Sequence, residues 1–396
     1  MHQLRLLDKN KDIKNLKVLL RVDFNVPRDN HGVTDATKIN KVKNIILGLL
    51  KRGATVILCS HLGRPQVKGK EGFSLSLVKS TAEKIIGQEI TFIEKDFKKN
   101  ITDGINKNKK LFLLENLRFD AGEEKDNDYF AKTLSDLCDL YINEAFSCSH
   151  RKHASIHGIT KFAKSYAGET IQEELAALNS IVSDTQKPVA CLIGGSKIST
   201  KIDLINNLLP KVNYMIIGGA MANNFIKFNN HEVGKSKIEE NIDSTIESII
   251  RDTIKNKCEL ILPTDVVTAK TFEEQGINKS LNSIEQDDMI LDIGMETASH
   301  IISIIKKSKT VFWNGPFGFF EKDNFAKGTN LISTAIAELT QQDKLISIAG
   351  GGDTFAAIKK SKKENNFTYI STAGGAFLEW LEGKTLPGLK VLEIKN

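Results

Sequence analysis

Short apolar runs punctuate the chain, each followed by a polar or glycine-rich turn and then by a longer stretch of helical spacing. In the first half they fall at residues 18–20, 56–58, 111–114 and 140–142. In the second half they fall at 189–193, 215–217, 260–262, 289–291, 311–313, 345–348 and 369–370. Continuous apolar runs this short, alternating with helices, predict parallel strands buried on both faces. The expected class is α/β, built from doubly wound parallel sheets. Ile171, Leu175, Leu178 and Val182 recur at spacings of three and four, so a helix is expected over 169–183, with a domain boundary before the strand that follows Pro188. The length of 396 residues suits two domains, each able to bury its own core.

In open α/β sheets ligands bind beyond the carboxyl ends of the strands. In the first half those ends carry cations. The first run continues as Arg21-Val22-Asp23-Phe24-Asn25-Val26-Pro27, and strand alternation puts Arg21, Asp23 and Asn25 on one face. The second run ends in Ser60-His61-Leu62-Gly63-Arg64-Pro65, the third in Glu115-Asn116-Leu117-Arg118-Phe119, and the fourth leads through Asn143-Glu144 to His150-Arg151-Lys152-His153.

The second half carries glycines instead: Gly194-Gly195-Ser196-Lys197, Gly218-Gly219-Ala220, Gly315-Pro316 and Gly350-Gly351-Gly352-Asp353-Thr354. Paired glycines let backbone N–H groups approach phosphate oxygens at a helix N-terminus, and an aspartate there can hold a hydrated Mg²⁺. Lys197 and Lys201, four apart, are expected to share one face of the helix opening after Gly195. The P-loop motif is absent, because Leu378 stands where its first glycine is required before Gly383-Lys384-Thr385. No G-x-G-x-x-G follows a strand either.

Composition sharpens this picture. Lys+Arg number 55 against 49 Asp+Glu, a net charge of +6, which is a weak argument for nucleic acid over this length. The division of the cations says more: 8 are Arg and 47 are Lys, and seven of the eight Arg lie at or before residue 151. Guanidinium groups grip carboxylate and phosphate bidentately as lysine cannot, so arginines at four strand ends predict a small polyanionic ligand. Five cysteines without a C-x-x-C pair fit a reducing compartment, and His61, His150 and His153 lack zinc-ligand spacing. No signal-peptide core and no membrane-spanning apolar run is read, so a cytoplasmic location is expected.

These motifs, in this order, resemble the phosphoglycerate kinase family. Beyond those above, the resemblance rests on Phe312-Trp313-Asn314-Gly315-Pro316 and runs to Leu381-Glu382-Gly383, essentially the whole chain. It implies two Rossmann-like domains: residues 1–168 for phosphoglycerate, an interdomain helix over 169–184, and residues 185–378 for the nucleotide. A tail from about residue 379 to 396 would return to the first domain. It implies a phosphotransferase with a carboxyl acceptor, ATP + 3-phosphoglycerate ⇌ ADP + 1,3-bisphosphoglycerate, with Mg²⁺ on the nucleotide. Transfer would be in line after domain closure, in a monomer with neither nucleic-acid nor membrane partners. By the same likeness Asp23, Phe24, Asn25, Lys38, His61, Leu62, Gly63, Arg64, Arg118 and Arg151 would bind phosphoglycerate. Gly195, Lys197, Lys201, Gly219, Gly294, Asn314, Pro316, Glu321, Gly351, Gly352, Asp353 and Thr354 would bind nucleotide. Lys38, Lys197, Gly351 and Gly374 would act in catalysis, and Asp353 on the metal.

Three positions depart from the family pattern. Lys38 stands for an arginine, Met295 for a proline and Ala373 for a glycine. Lysine keeps the charge and loses the planar fork, which motivates one alternative: a catalytically weak nucleotide- or polyanion-binding protein on the same fold.

Overall fold

The computed structural model describes residues 3–65, 71–182 and 186–394, and the side chains at 180–182 are outside that description. The helix end expected at Ser183, the domain limits at 184–185 and the last two residues of the tail lie outside the described residues. By contacts the chain divides into Met1–Leu175 with Thr385–Asn396, and Ala176–Lys384.

The first unit holds a six-stranded parallel sheet: β1 (Lys17–Arg21), β2 (Thr55–Cys59), β3 (Thr91–Ile93), β4 (Leu111–Leu114), β5 (Leu140–Asn143) and β6 (Ser165–Ala167). Their order is β3-β4-β2-β1-β5-β6. Alternation along the strands sorts their side chains into two cores. Val18, Leu20, Val56, Leu58, Leu111 and Leu113 pack with Ile46 and Val78 of helices Lys43–Lys51 and Ser76–Ile86. Leu19, Ile57, Phe112 and Leu114 pack on the other face with Ile101 and Leu134 of Phe97–Asn106 and Asp128–Ser135. Burial on both faces is why these strands read as unbroken apolar runs. The sheet reverses its winding between β1 and β5, the place where such folds open a crevice at the strand ends.

The second unit repeats the plan with β7 (Val189–Ile193), β8 (Tyr214–Ile217), β9 (Glu259–Ile261), β13 (Thr310–Asn314), β14 (Ile346–Gly350) and β15 (Tyr369–Ser371), ordered β9-β8-β7-β13-β14-β15. Its switch point lies between β7 and β13. One expectation is corrected here. The run at 289–291 is no parallel strand; it is β12 (Met289–Ile293) of an antiparallel sheet with β10 (Asp265–Ala269) and β11 (Ile277–Ser280), ordered β11-β10-β12. Its first three residues are only half-buried, as one-sided packing requires.

The chain re-enters the first unit at Thr385. Helix Gly375–Leu381 stays with the second unit, where Phe377 lies 5.9 Å from the Phe312 ring and Asn207 Nδ2 donates to Leu381 O. Beyond it, Gly388 N donates to Ser149 O at 2.8 Å and Arg5 N to Leu392 O at 2.9 Å, fixing the tail against the first unit.

Candidate active site

In the first unit the strand ends are tied together by side chains that the motifs single out. Asp23, just past β1, accepts Lys38 Nζ at 2.6 Å and Ser147 Oγ on one oxygen, and Asn25 N at 3.0 Å on the other. Lys38 also reaches Asn25 O at 3.2 Å, from the short helix Thr37–Lys41. Asn25 Oδ1 accepts Gly63 N at 2.9 Å, and Arg118 donates to Gly63 O at 2.7 Å while lying 3.1 Å from Glu124. Asn116 Nδ2 holds Leu62 O and Phe73 O at 2.8 and 2.9 Å. Burial works against ionisation of Asp23, but the Lys38 ammonium, with the hydrogen bonds from Lys38 and Ser147, holds its carboxyl well below the usual range.

The cations form one field. Burial pushes His150 down to about 4, with Arg151 the next cause. It pushes His153 down to about 3, reinforced by Arg118, Arg21 and Arg151. His61 falls well below the ordinary imidazole range through burial, then Arg21 and Arg118. The side chains of Arg64 and Arg151 are exposed and make no hydrogen bond or ion pair among the described residues. Neutral rings beside uncommitted guanidinium groups suit an anion. No group of these histidines has metal-binding geometry among the described residues.

The structure separates residues that the motifs placed together. Arg21 is 1% exposed and cannot face a ligand, so strand alternation assigned its face correctly and its depth wrongly. Phe24 and Leu62 are buried in the core and offer a ligand only their backbone; Phe24 N already donates to Ser60 Oγ at 2.8 Å.

In the second unit a cavity of about 500 Å³ opens beside the glycine turns. Gly195, Gly219, Pro316, Glu321 and Asp353 line it. Gly194 and Gly315 sit at the switch point, where the ends of β7 and β13 nearly touch. A Cβ on Gly194 would lie 2.6 Å from Gly315 O, so only glycine permits that approach. Lys201 Nζ donates to Asn314 Oδ1, Asn314 Nδ2 to Gly350 O at 2.6 Å, and Gly315 N to Thr354 Oγ1 at 2.7 Å. Gly351 and Gly352 thus open the helix Gly352–Lys360 in a braced turn, with Asp353 exposed in its first turn.

Lys197 and Lys201 do not share a helical face. The helix starts at Ile202, because Glu239 accepts Ile198 N at 2.5 Å and Ser199 N at 3.2 Å and holds the preceding segment as a turn. Lys197 is exposed, whereas burial lowers the pKa of half-buried Lys201. Gly294 is absent from the cavity lining; it packs on Asp265, whose carboxylate accepts Glu296 N at 3.1 Å and Thr297 N at 2.8 Å. Gly374, at φ +55°, precedes helix Gly375–Leu381 with open space beside it.

The motifs missed the apolar walls: Val266, Leu291, Phe317 and the pair Phe272–Phe319, whose rings are 5.1 Å apart. Buried Asp292 also lines the cavity, its carboxyl pushed by burial up to about 7. Isolated apolar residues on separate elements leave no spacing signal.

A family model for phosphoglycerate kinase matches residues 8–384. The chain belongs to the phosphoglycerate kinase family. Phosphoglycerate kinase of Wolbachia pipientis from Culex pipiens is 45% identical over 383 residues, covering 96% of each chain, and that of Bartonella quintana is 44% identical over 385 residues, covering 96% and 97%. Among solved structures, phosphoglycerate kinase from Coxiella burnetii shares 34% identity at a TM-score of 0.87, covering 98% of both chains. That from Pyrococcus horikoshii shares 26% at 0.81, covering 99% and 98%. The chain is therefore a kinase on the family's two-domain fold, and the silent-binder alternative is not favoured.

The family departure at Met295 has a local compensation. Met295 N donates to Asn278 Oδ1 at 3.0 Å, a bond that proline could not make.

Proposed function

We propose that the protein transfers a phosphoryl group reversibly between ATP and the carboxylate of 3-phosphoglycerate, giving ADP and 1,3-bisphosphoglycerate, as a cytoplasmic monomer. The observation that carries this reading is a pair of exposed guanidinium groups, Arg64 and Arg151, with no hydrogen bond or ion pair among the described residues, in the unit that also holds the Lys38–Asp23 pair and a His61 whose pKa burial lowers. That set can bind a small phosphorylated carboxylic acid through charge and N–H donors. The family match supplies the identity of the acid.

On this reading Arg64, Arg118 and Arg151 grip the substrate anion, with His61 and Asn25 completing the site, and Lys38 offers charge toward the transferring group. The backbone at Gly195, Gly219, Gly351 and Gly352 faces the nucleotide phosphates, with Lys197, Lys201 and Gly374 near the same ligand. Glu321 and the apolar cavity would take its nucleoside end.

The attacking carboxylate is already ionised at neutral pH, so the chemistry calls for positioning and charge neutralisation rather than a general base. A neutral, buried His61 is consistent with that. Asp353 fits a Mg²⁺ ion: its carboxylate is exposed at the cavity edge and makes no hydrogen bond or ion pair among the described residues. Mg²⁺ usually takes one or two carboxylates and completes its shell with water and phosphate oxygens. When bound there, the ion would neutralise phosphate charge.

A ³¹P spectrum of the protein with ATP, Mg²⁺ and 3-phosphoglycerate, with hydroxylamine present to trap the acyl phosphate as the hydroxamate, tests the assignment. Resonances of ADP and inorganic phosphate are expected to grow together, with hydroxamate formed in equal amount. No hydroxamate, or its undiminished formation without Mg²⁺, would contradict the reading.

A further inference from the structure

Arg21 closes β1 with every nitrogen of its guanidinium engaged. Nε donates to Ser155 Oγ at 2.9 Å, one terminal nitrogen to Val22 O at 2.5 Å, and the other meets His61 Nδ1 at 3.2 Å and Cys148 Sγ at 3.9 Å. Arginine stays protonated and has only donors. At the His61 contact Arg21 therefore donates and Nδ1 accepts, which leaves the proton of a neutral ring on Nε2.

The far side of Arg21 is fixed as firmly. Ser155 Oγ donates to Glu123 Oε1 at 2.6 Å, Ser155 N to Glu123 Oε2 at 2.9 Å, and Tyr141 OH to Ser155 O at 2.6 Å. Glu123 is itself fully buried; burial raises its pKa, and the Arg21 charge and the two bonds from Ser155 work against that rise across one serine. The other groups around His61 are Asp23, Lys38 and Arg118, together with the Cys148 thiol 3.8 Å from Nδ1. A lysine at position 21 would supply the charge but not three donors in fixed directions. This accounts for one of the eight arginines in a chain that otherwise uses lysine.

We propose that Arg21 is a positioning residue for His61: the chain Glu123–Ser155–Arg21 holds the imidazole as its Nε2–H tautomer, so that the ring offers an anion one N–H donor. The functional weight of this inference rests on the reading of His61 as a phosphoglycerate ligand; the tautomer itself does not.

The test uses full-length, ligand-free protein labelled with ¹⁵N-histidine and long-range ¹H–¹⁵N spectra between pH 6 and 8. In the wild type His61 Nδ1 is expected in the unprotonated range and Nε2 in the protonated range, without titration. Arg21→Lys is expected to bring a mixture of tautomers in a ring that still does not titrate in this range, because burial and the positive charge both remain. Ser155→Ala, which keeps the cation but frees Nε, is expected to shift the mixture less. In steady state, Arg21→Lys should raise KM for 3-phosphoglycerate about tenfold, as expected for losing a hydrogen bond that holds a ligand group, with kcat and the nucleotide KM little changed.

A wild-type spectrum with protonated Nδ1 overturns the proposal, as does a folded Arg21→Lys or Ser155→Ala protein with an unchanged His61 spectrum. If Arg21→Lys does not fold, the wild-type and Ser155→Ala spectra decide. The spectra need no substrate. A His61→Ala enzyme with unaltered KM would therefore refute the ligand role of His61 while leaving the tautomer result standing.

Discussion

The Lys38–Asp23 pair offers a quantitative check, because this is the position where lysine replaces the family arginine. The side chains are 24% and 11% exposed, and Nζ lies 2.6 Å from Oδ2. An exposed pair contributes at most about 1 kcal/mol, whereas breaking a fully buried pair costs about 3–5 kcal/mol. When Lys38 is removed, Asp23 keeps its bonds from Ser147 Oγ and Asn25 N, so its charge is not left bare. The expected coupling is therefore about 2 kcal/mol, between those limits. A double-mutant cycle of Lys38→Ala and Asp23→Ala, read by urea unfolding of the ligand-free protein at pH 7, measures it. Asp23 is held below its unfolded pKa, so the contribution is present above about pH 4 and is lost as pH falls through the native value. A coupling under about 0.5 kcal/mol at pH 7, the scale of an ordinary exposed pair, would refute the argument. As the conservative arm, Lys38→Arg should retain the coupling, leave affinity for 3-phosphoglycerate within a few-fold and not lower kcat. A large fall in kcat would show that the site is adapted to lysine.

Three further substitutions probe the second unit. Asp292 is neutral in the folded protein up to about pH 7 and ionised above about pH 4 when unfolded. Its raised native pKa means that its stabilisation is full at low pH and lost as pH rises across that window. Unfolding free energies should therefore shift in favour of Asp292→Asn over the wild type by up to about 4 kcal/mol between pH 4 and 7, and a difference that does not vary with pH would show that the carboxyl titrates normally. Gly194→Ala would press a Cβ against the carbonyl of Gly315 and should cost about 1–3 kcal/mol by denaturant unfolding while raising KM for nucleotide. Gly352→Ala, with nothing within 4 Å of the new Cβ, should leave stability within about 0.5 kcal/mol. Equal losses in the two variants would show that the close approach at Gly194 does not set the cost.

The two parallel sheets were legible because their central strands are buried on both faces and so appear as unbroken apolar runs. The antiparallel sheet was not. β11 reads Ile-Asn-Lys-Ser and is mostly exposed, and β12 is half-buried, so neither carries the pattern of its true environment. In the first unit, strand-end position singled out Arg64 and Arg151, whose side chains are exposed, but periodicity assigns a face and not a depth. Arg21 therefore looked like a third cation of the same kind until its burial was known. In the second unit the glycine turns marked one edge of the cavity, while its apolar walls come from separate elements with no shared motif. Lys197 and Lys201 were misplaced for a related reason: Glu239, about forty residues away in sequence, holds the turn that delays the helix.

The most direct measurement is a pair of calorimetric titrations, 3-phosphoglycerate and ADP, on Arg64→Ala and Arg151→Ala. Both side chains are exposed and make no hydrogen bond or ion pair among the described residues, so the variants should melt as the wild type does. Each should bind 3-phosphoglycerate at least about tenfold more weakly, the loss of one charge-assisted contact, with ADP affinity unchanged. Unaltered 3-phosphoglycerate binding, or a loss of ADP affinity instead, would contradict the placement of the acid on the arginine-bearing unit.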